Sequence, residues 1–175
     1  MRYAILLRGI NVGGHNKIPM ADLRKVLVTA GFENPQTYIQ SGNVVVDSDK
    51  KIATKKISEL IKTSFDLTIP VVIQTKQQVL SAIKNNPFSN TVFEPKRLHV
   101  LFLNKKIDSE RSSQIDASKY SPDVFKIIDN HIFVLYNENS WASKLTINVF
   151  EKEFGVTATA RNWNTALKLA DMIES

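Results

Sequence analysis

Two glycine-bearing stretches of this chain hold residue types suited to gripping an anion. Arg8 to Lys17, reading RGINVGGHNK, sets Arg8, Asn11 and Lys17 around Gly9, Gly13 and Gly14, and Ser41, Gly42 and Asn43 lie further along. Arginine and lysine supply charge, while glycine lets bare backbone amides approach an oxyanion. A third stretch, Arg161, Asn162, Trp163, Asn164 and Thr165, puts another cation and capping side chains near the start of a helical pattern. Each has a plainer alternative. The glycines can serve only the positive φ of tight turns, and Trp163 can belong to an apolar helical stripe with Leu167 and Ala170.

Known phosphate motifs fit poorly. Gly9, four residues and Gly14 begin like a P-loop, but His15 and Asn16 stand where Lys and a hydroxyl residue are needed, which argues against a nucleotide triphosphatase. The glycines do not make G-x-G-x-x-G. His15 has no partner at metal-ligand spacing and reads as a loop side chain, His99 falls inside a strand and His131 beside a hairpin turn. No metal site and no cofactor is expected, and no paired-carboxylate or Ser, His, Asp pattern is legible.

The elements that must position these residues follow from periodicity. Tyr3 to Leu7 is apolar on both alternating faces, which predicts a central strand covered on one side and paired on both edges. Pro19 suits a first helical turn, and Met20, Leu23, Val26, Leu27 and Ala30 recur at helical spacing until Gly31. Thr37 to Gln40 and Val44 to Val46 read as a hairpin turning on Ser41 to Asn43. Asp49 is expected to cap a helix carrying Ile52, Ile57, Leu60, Ile61 and Phe65, and Pro70 to Gln74 reads as a strand. Thr75 and Gln78 form a capping-box pattern for a short helix.

After a polar stretch around Pro87 the order begins again. Arg97 to Leu103 reads as a strand, Asp108 to Tyr120 as a polar helix, and Val124 to Ile128 with His131 to Tyr136 as a hairpin on Asp129 and Asn130. Leu145 to Phe154 reads as a helix stopped by Gly155. A short link from Val156, with a closing strand placed only near Val156 to Thr159, leads into a last helix. The doubled βαββαβ order predicts an α+β protein of two tandem ferredoxin-like halves with antiparallel sheets, residues 1–83 and 97–175, joined by a linker at 84–96.

In such a half the first and third strands run antiparallel side by side, so the end of one meets the start of the other. The Arg8 to Lys17 loop should therefore meet the Ser41 to Asn43 turn, beside the N-terminus of the first helix, where amides and dipole favour negative charge. An RRM shares the element order, but its third strand needs stacking aromatics where this chain has Val44, Val45 and Val46.

Composition sets the outer bounds. With 175 residues, 43% of them hydrophobic, the chain can bury a real core. Lys and Arg number 23 against 17 Asp and Glu, a net charge of +6 that mildly favours anionic partners without a basic tail. No cysteine is present, which excludes disulfides and thiolate chemistry. No apolar run is long enough to span a bilayer, and Met1 to Tyr3 enter a strand directly, so no membrane association and a cytoplasmic location are expected.

Arg8 to Leu23 as RGINVGGHNKIPMADL, Tyr38 to Val45 as YIQSGNVV and Thr157 to Leu169 as TATARNWNTALKL resemble the signature blocks of the bacterial family catalogued as domain of unknown function 1697. The resemblance covers essentially the whole chain. It implies a fold with ferredoxin-like halves, and it implies no activity, substrate or site residue.

Three functional readings stay open. The first is a module binding a phosphate-bearing or other anionic ligand, nucleotide or RNA included, through Arg8, Asn11, Gly13, Gly14, Lys17, Ser41, Gly42 and Asn43, with Arg161 and Asn162 as candidate additions. The second is an enzyme: by fold analogy with acylphosphatases, Arg8 and Asn43 would hold a phosphoryl group, although there the Arg closes the loop instead of opening it. The third is an interaction scaffold whose glycine loops serve folding alone.

Overall fold

A continuous apolar run, Tyr3 to Leu7, makes Arg2–Leu7 (β1) a strand with two buried faces. In the computed structural model, which describes residues 1–108, 110–112 and 115–175, the chain divides into two compact units, Met1–Val79 with Leu169–Ser175 and Leu80–Lys168. Together they comprise a mixed α+β architecture with two four-stranded antiparallel sheets and five helices among the described residues.

In the first unit, β1 is followed by α1 (Met20–Thr29), β2 (Glu33–Tyr38), β3 (Asn43–Asp47), α2 (Thr54–Phe65), β4 (Val71–Thr75) and the start of α3 (Lys76–Lys84). The sheet order is β2-β3-β1-β4, every neighbouring pair antiparallel. Tyr3, Ile5 and Leu7 of β1 join Val44, Val46 and Val71 in a core closed by Leu23 and Leu27 of α1 and Ile57 and Ile61 of α2. The alternating set, Ala4, Leu6, Val45 and Val72, is buried as well. The central strand is thus covered on both faces instead of the one that was expected, which accounts for its unbroken apolar run.

The second unit has the same succession of strands, β5 (Leu98–Leu103), β6 (Val124–Ile128), β7 (His131–Leu135), α4 (Ile147–Phe154), β8 (Ala158–Asn162) and the first half of α5 (Trp163–Glu174), with no α-helix between β5 and β6 among the described residues. Its sheet runs β6-β7-β5-β8. Leu101, Leu103, Ile132, Val134 and Ala158 pack with Phe150 and Phe154 of α4. Hydrogen bonds repeat where the sequence does not. Leu7 N–H donates to Gly42 O at 2.9 Å as Leu103 N–H does to Asn130 O at 3.2 Å. Arg8 N–H donates to Pro70 O at 3.1 Å as Asn104 N–H does to Thr157 O at 3.0 Å. Each central strand is therefore tied at its end to both flanking connections by the same pair of bonds.

Several local expectations change. Pro19 is the N-cap residue of α1, with extended backbone, instead of lying in the first turn. Asp49 does not cap α2, which starts five residues later behind Ala53. The intervening stretch is held by a turn in which Ser48 Oγ donates to Lys50 O, and by burial of Ile52. Asp108 to Tyr120 is not a continuous helix: its described residues form turns and one short 3-10 helix at Ala117–Tyr120, and residues 109, 113 and 114 lie outside the described ones. Asp116 shows why, accepting from both the amide and the hydroxyl of Ser118, a local bond that competes with helix formation. The closing strand of the second sheet runs from Ala158 through Asn162, further than the Val156 to Thr159 expected, so Arg161 and Asn162 are strand residues.

Candidate functional site

The antiparallel pairing of β1 with β3 brings the 8–19 loop to the β2–β3 turn. Gly42 is buried with φ +78°, and a Cβ placed on it would lie 3.1 Å from Cδ1 of Ile10, so loop and turn are in contact. The loop itself is a miniature hairpin. Asn11 N–H donates to Asn16 O at 3.2 Å and His15 N–H to Val12 O at 3.0 Å, with Gly13 at φ +58° and Gly14 at φ +79° forming the tip. Two successive positive φ values are what a two-residue hairpin turn of the primed type demands, and this is what the glycine pair supplies.

Asn11 fastens this hairpin to its surroundings. Its Nδ2 donates to Ile18 O at 2.9 Å and to Gln40 O at 2.8 Å, and its Oδ1 accepts from Ile18 N–H at 2.9 Å. Asn16 Nδ2 closes the base of the loop on Gly9 O at 2.8 Å. Asn43 plays the matching part across the edge: buried, it donates from Nδ2 to Tyr38 O at 3.1 Å and to Ser41 Oγ at 2.9 Å. The donors of both asparagines are occupied in holding the loops in place.

Between loop and turn lies an open depression of about 370 Å³ lined by Asn11, Gly14, Lys17, Ile18, Pro19 and Gln40. Lys17 is exposed and forms no ion pair among the described residues. Pro19 leads into α1 with no side-chain cap on the helix N-terminus, and Asp22 is the acidic residue of the first turn. Of the residues singled out from sequence, Asn11, Gly14 and Lys17 line the depression. Gly13 stands at the exposed hairpin tip, Arg8 is half-buried at the foot of the loop, and Ser41, Gly42 and Asn43 form the adjoining turn. Ile18, Pro19 and Gln40 were not anticipated as lining residues. Gln40 enters through its carbonyl bond to Asn11, a pairing that spacing along the chain does not reveal.

Arg161 and Asn162 belong to the second unit and have structural partners there. Arg161 in β8 is buried, and its Nη1 donates to Thr159 Oγ1 at 2.7 Å and to Ala160 O at 2.8 Å. Burial lowers its pKa to about 10, which leaves it charged at neutral pH. Asn162 Oδ1 accepts from Thr165 N–H at 2.9 Å and so caps α5, as an Asn before a helix should. Trp163 is half-buried, and Leu167 is 41% exposed, so the buried stripe of α5 is Ala166, Leu169, Ala170 and Ile173 instead of the Trp163, Leu167, Ala170 line.

His15 is exposed in the loop. His99 in β5 meets Tyr136 edge-on at 5.2 Å, and burial lowers its pKa. His131 in β7 is buried with its ring edge-on to Phe102 at 5.3 Å, and burial pushes its pKa down to about 4, Asp129 opposing weakly. Among the described residues no three His, Cys, Asp or Glu side chains come together as a metal-binding group, and no helix is long and apolar enough to cross a membrane.

A conserved bacterial protein from Streptococcus pneumoniae, SP0830, has a similar solved structure: 26% identity, TM-score 0.71, with 99% of this chain and 98% of that one covered. No curated protein matches the chain at a significant level. The family profile described as protein of unknown function (DUF1697) matches residues 1–133, a span that holds both the 8–19 loop and the β2–β3 turn, and the chain belongs to that family.

Proposed function

We propose that this protein binds a small anionic, phosphate-bearing ligand in the depression between the 8–19 loop and the β2–β3 turn. The observation that carries this reading is Lys17, an exposed cation without an ion-pair partner among the described residues, at the wall of a depression that also has Gly14 and the uncapped lead into α1. A lysine on a flexible stem contributes a point charge, while helix and loop amides contribute direction. The two clamped asparagines keep the geometry preorganised, so that little ordering cost falls on binding. The hydrolase alternative requires Asn43 to hold a phosphoryl oxygen. Its Nδ2 donates instead to Tyr38 O and Ser41 Oγ, which favours binding over turnover.

Lys17→Ala is expected to weaken binding of inorganic phosphate roughly 3- to 10-fold while leaving the unliganded melting temperature unchanged, since the side chain makes no contact that folding needs. Thermal melts with and without excess phosphate measure it. An equal phosphate-induced rise in both proteins would remove Lys17 from the site, and no rise in the wild type would end the anion reading.

In the same proposal the two halves, residues 1–83 and 97–175, are each ferredoxin-like. The strand order with the first strand between third and fourth, together with two helices in the core of the first sheet, supports this. The 84–96 segment serves as the linker, and Val92 within it is fully exposed. Limited trypsin digestion is expected to cut first after Lys84 or Lys96, giving two fragments of similar size by mass spectrometry. First cuts inside either sheet would count against these boundaries.

A further inference from the structure

Six non-glycine residues among those described have left-handed backbone, and five of them, Asn11, Asn16, Asn34, Asp66 and Asp129, are of the two types that tolerate it. The sixth is Ile39, at φ +48°. A β-branched side chain is the least suited to that conformation, because its Cβ crowds the following carbonyl. Packing does not explain its presence, for Ile39 is 51% exposed. It directly precedes Gln40, which lines the depression and whose carbonyl Asn11 grips. On the loop side Val12, next to Asn11, is 64% exposed. The depression thus has one cation, Lys17, without an ion-pair partner among the described residues, and an exposed branched apolar residue stands next in sequence to its lining on both loop and turn. Its volume of about 370 Å³ falls in the range of small organic ligands.

We infer that Ile39 is a ligand-contacting residue, and that the ligand is a phosphate monoester carrying a ring, whose phosphate lies toward Lys17 and whose ring rests on Ile39. This inference rests on the anion-binding reading above and adds the apolar half of the ligand. Strained backbone that is neither buried nor built from tolerant residues persists where the side chain it displays is used. Asparagine at position 39 would relieve the strain and lose the contact.

The test compares wild type with Ile39→Asn in thermal melts, alone and with saturating adenosine monophosphate or inorganic phosphate, together with calorimetric titration of both probes. Without ligand the variant should melt about 2 to 4 °C higher. The nucleotide should stabilise the wild type more than phosphate does, and its Kd should weaken about five-fold in the variant while that of phosphate stays the same. If nucleotide and phosphate act alike on both proteins, the contact role of Ile39 is overturned and the anion reading survives. If neither probe shifts the wild type, the anion reading itself fails and this inference fails with it. A lower melting point in the unliganded variant would show that Ile39 serves the fold.

Discussion

Gly42→Ala is expected to destabilise the protein by about 3 kcal/mol or more, lowering the melting temperature by roughly 10 °C. Two costs add at this position. The backbone is left-handed at φ +78°, which costs an L-residue roughly 1 to 2 kcal/mol. The new Cβ would also sit 2.6 Å from Cβ of Leu7 and 3.1 Å from both Leu7 O and Ile10 Cδ1. The first and last of these belong to buried side chains and the second to the central strand, so none can swing aside. Either β1 or β3 must shift, stretching the Leu7 N–H to Gly42 O bond that closes the sheet edge. Gly14→Ala is the control: its φ is +79°, but nothing lies within 4 Å of its Cβ position, so it should pay the backbone cost alone. Urea denaturation of the two variants separates the effects. Equal losses would show that close approach plays no part at Gly42.

The second large effect is a dependence on acid set by His131. The residue is 1% exposed, its Nε2 has no hydrogen-bond partner among the described residues, and its pKa is held at about 4 against an ordinary 6.5. Above pH 6.5 the ring is neutral whether folded or unfolded and contributes no pH dependence. Below 6.5 the unfolded chain takes up a proton that the folded one refuses, so stability falls as pH falls, down to about pH 4, where the folded ring protonates too. Those two values predict a loss of about 2 kcal/mol between pH 7.5 and 5, approaching 3 kcal/mol by pH 4. His99, also lowered by burial, contributes in the same direction. His131→Phe should remove most of the slope between pH 7.5 and 5 in urea titrations at the two pH values. A variant as acid-sensitive as the wild type would mean that other groups set the dependence.

The first of these effects bears on the candidate site. The site's residues are held by contacts at the edge of one sheet, where Gly42 permits the approach and Asn11 and Asn43 spend their donors on carbonyls and a hydroxyl. Side chains so engaged act as supports, which leaves the exposed Lys17, the loop amides and Ile39 as the surface that the proposed ligand would meet.

Local chemistry made much of this readable from the residues alone. Apolar spacing marked α1, α2 and α4, and Asp129 with Asn130 marked the second hairpin. The Thr75 and Gln78 pair forms the reciprocal bonds that its spacing announces, Thr75 N–H to Gln78 Oε1 at 2.8 Å and Gln78 N–H to Thr75 Oγ1 at 3.2 Å. Antiparallel pairing of first and third strands was enough to place the Arg8 to Lys17 loop against the turn at Gly42, since that follows from strand direction. Other features depended on partners distant in sequence. Whether Asn11 and Asn43 offer their amides to a ligand or spend them on Gln40 and Tyr38 is decided by tertiary distance, which residue type does not encode. Ala158–Asn162 is a strand because β5 pairs with it from Leu103 to His99, although its own residues, small and polar, lack a strand's apolar signature. That pairing fixes Arg161 in the second sheet, where it is buried and its Nη1 donates to Thr159 Oγ1 and Ala160 O, a placement that its position before a helical pattern in the sequence does not reveal.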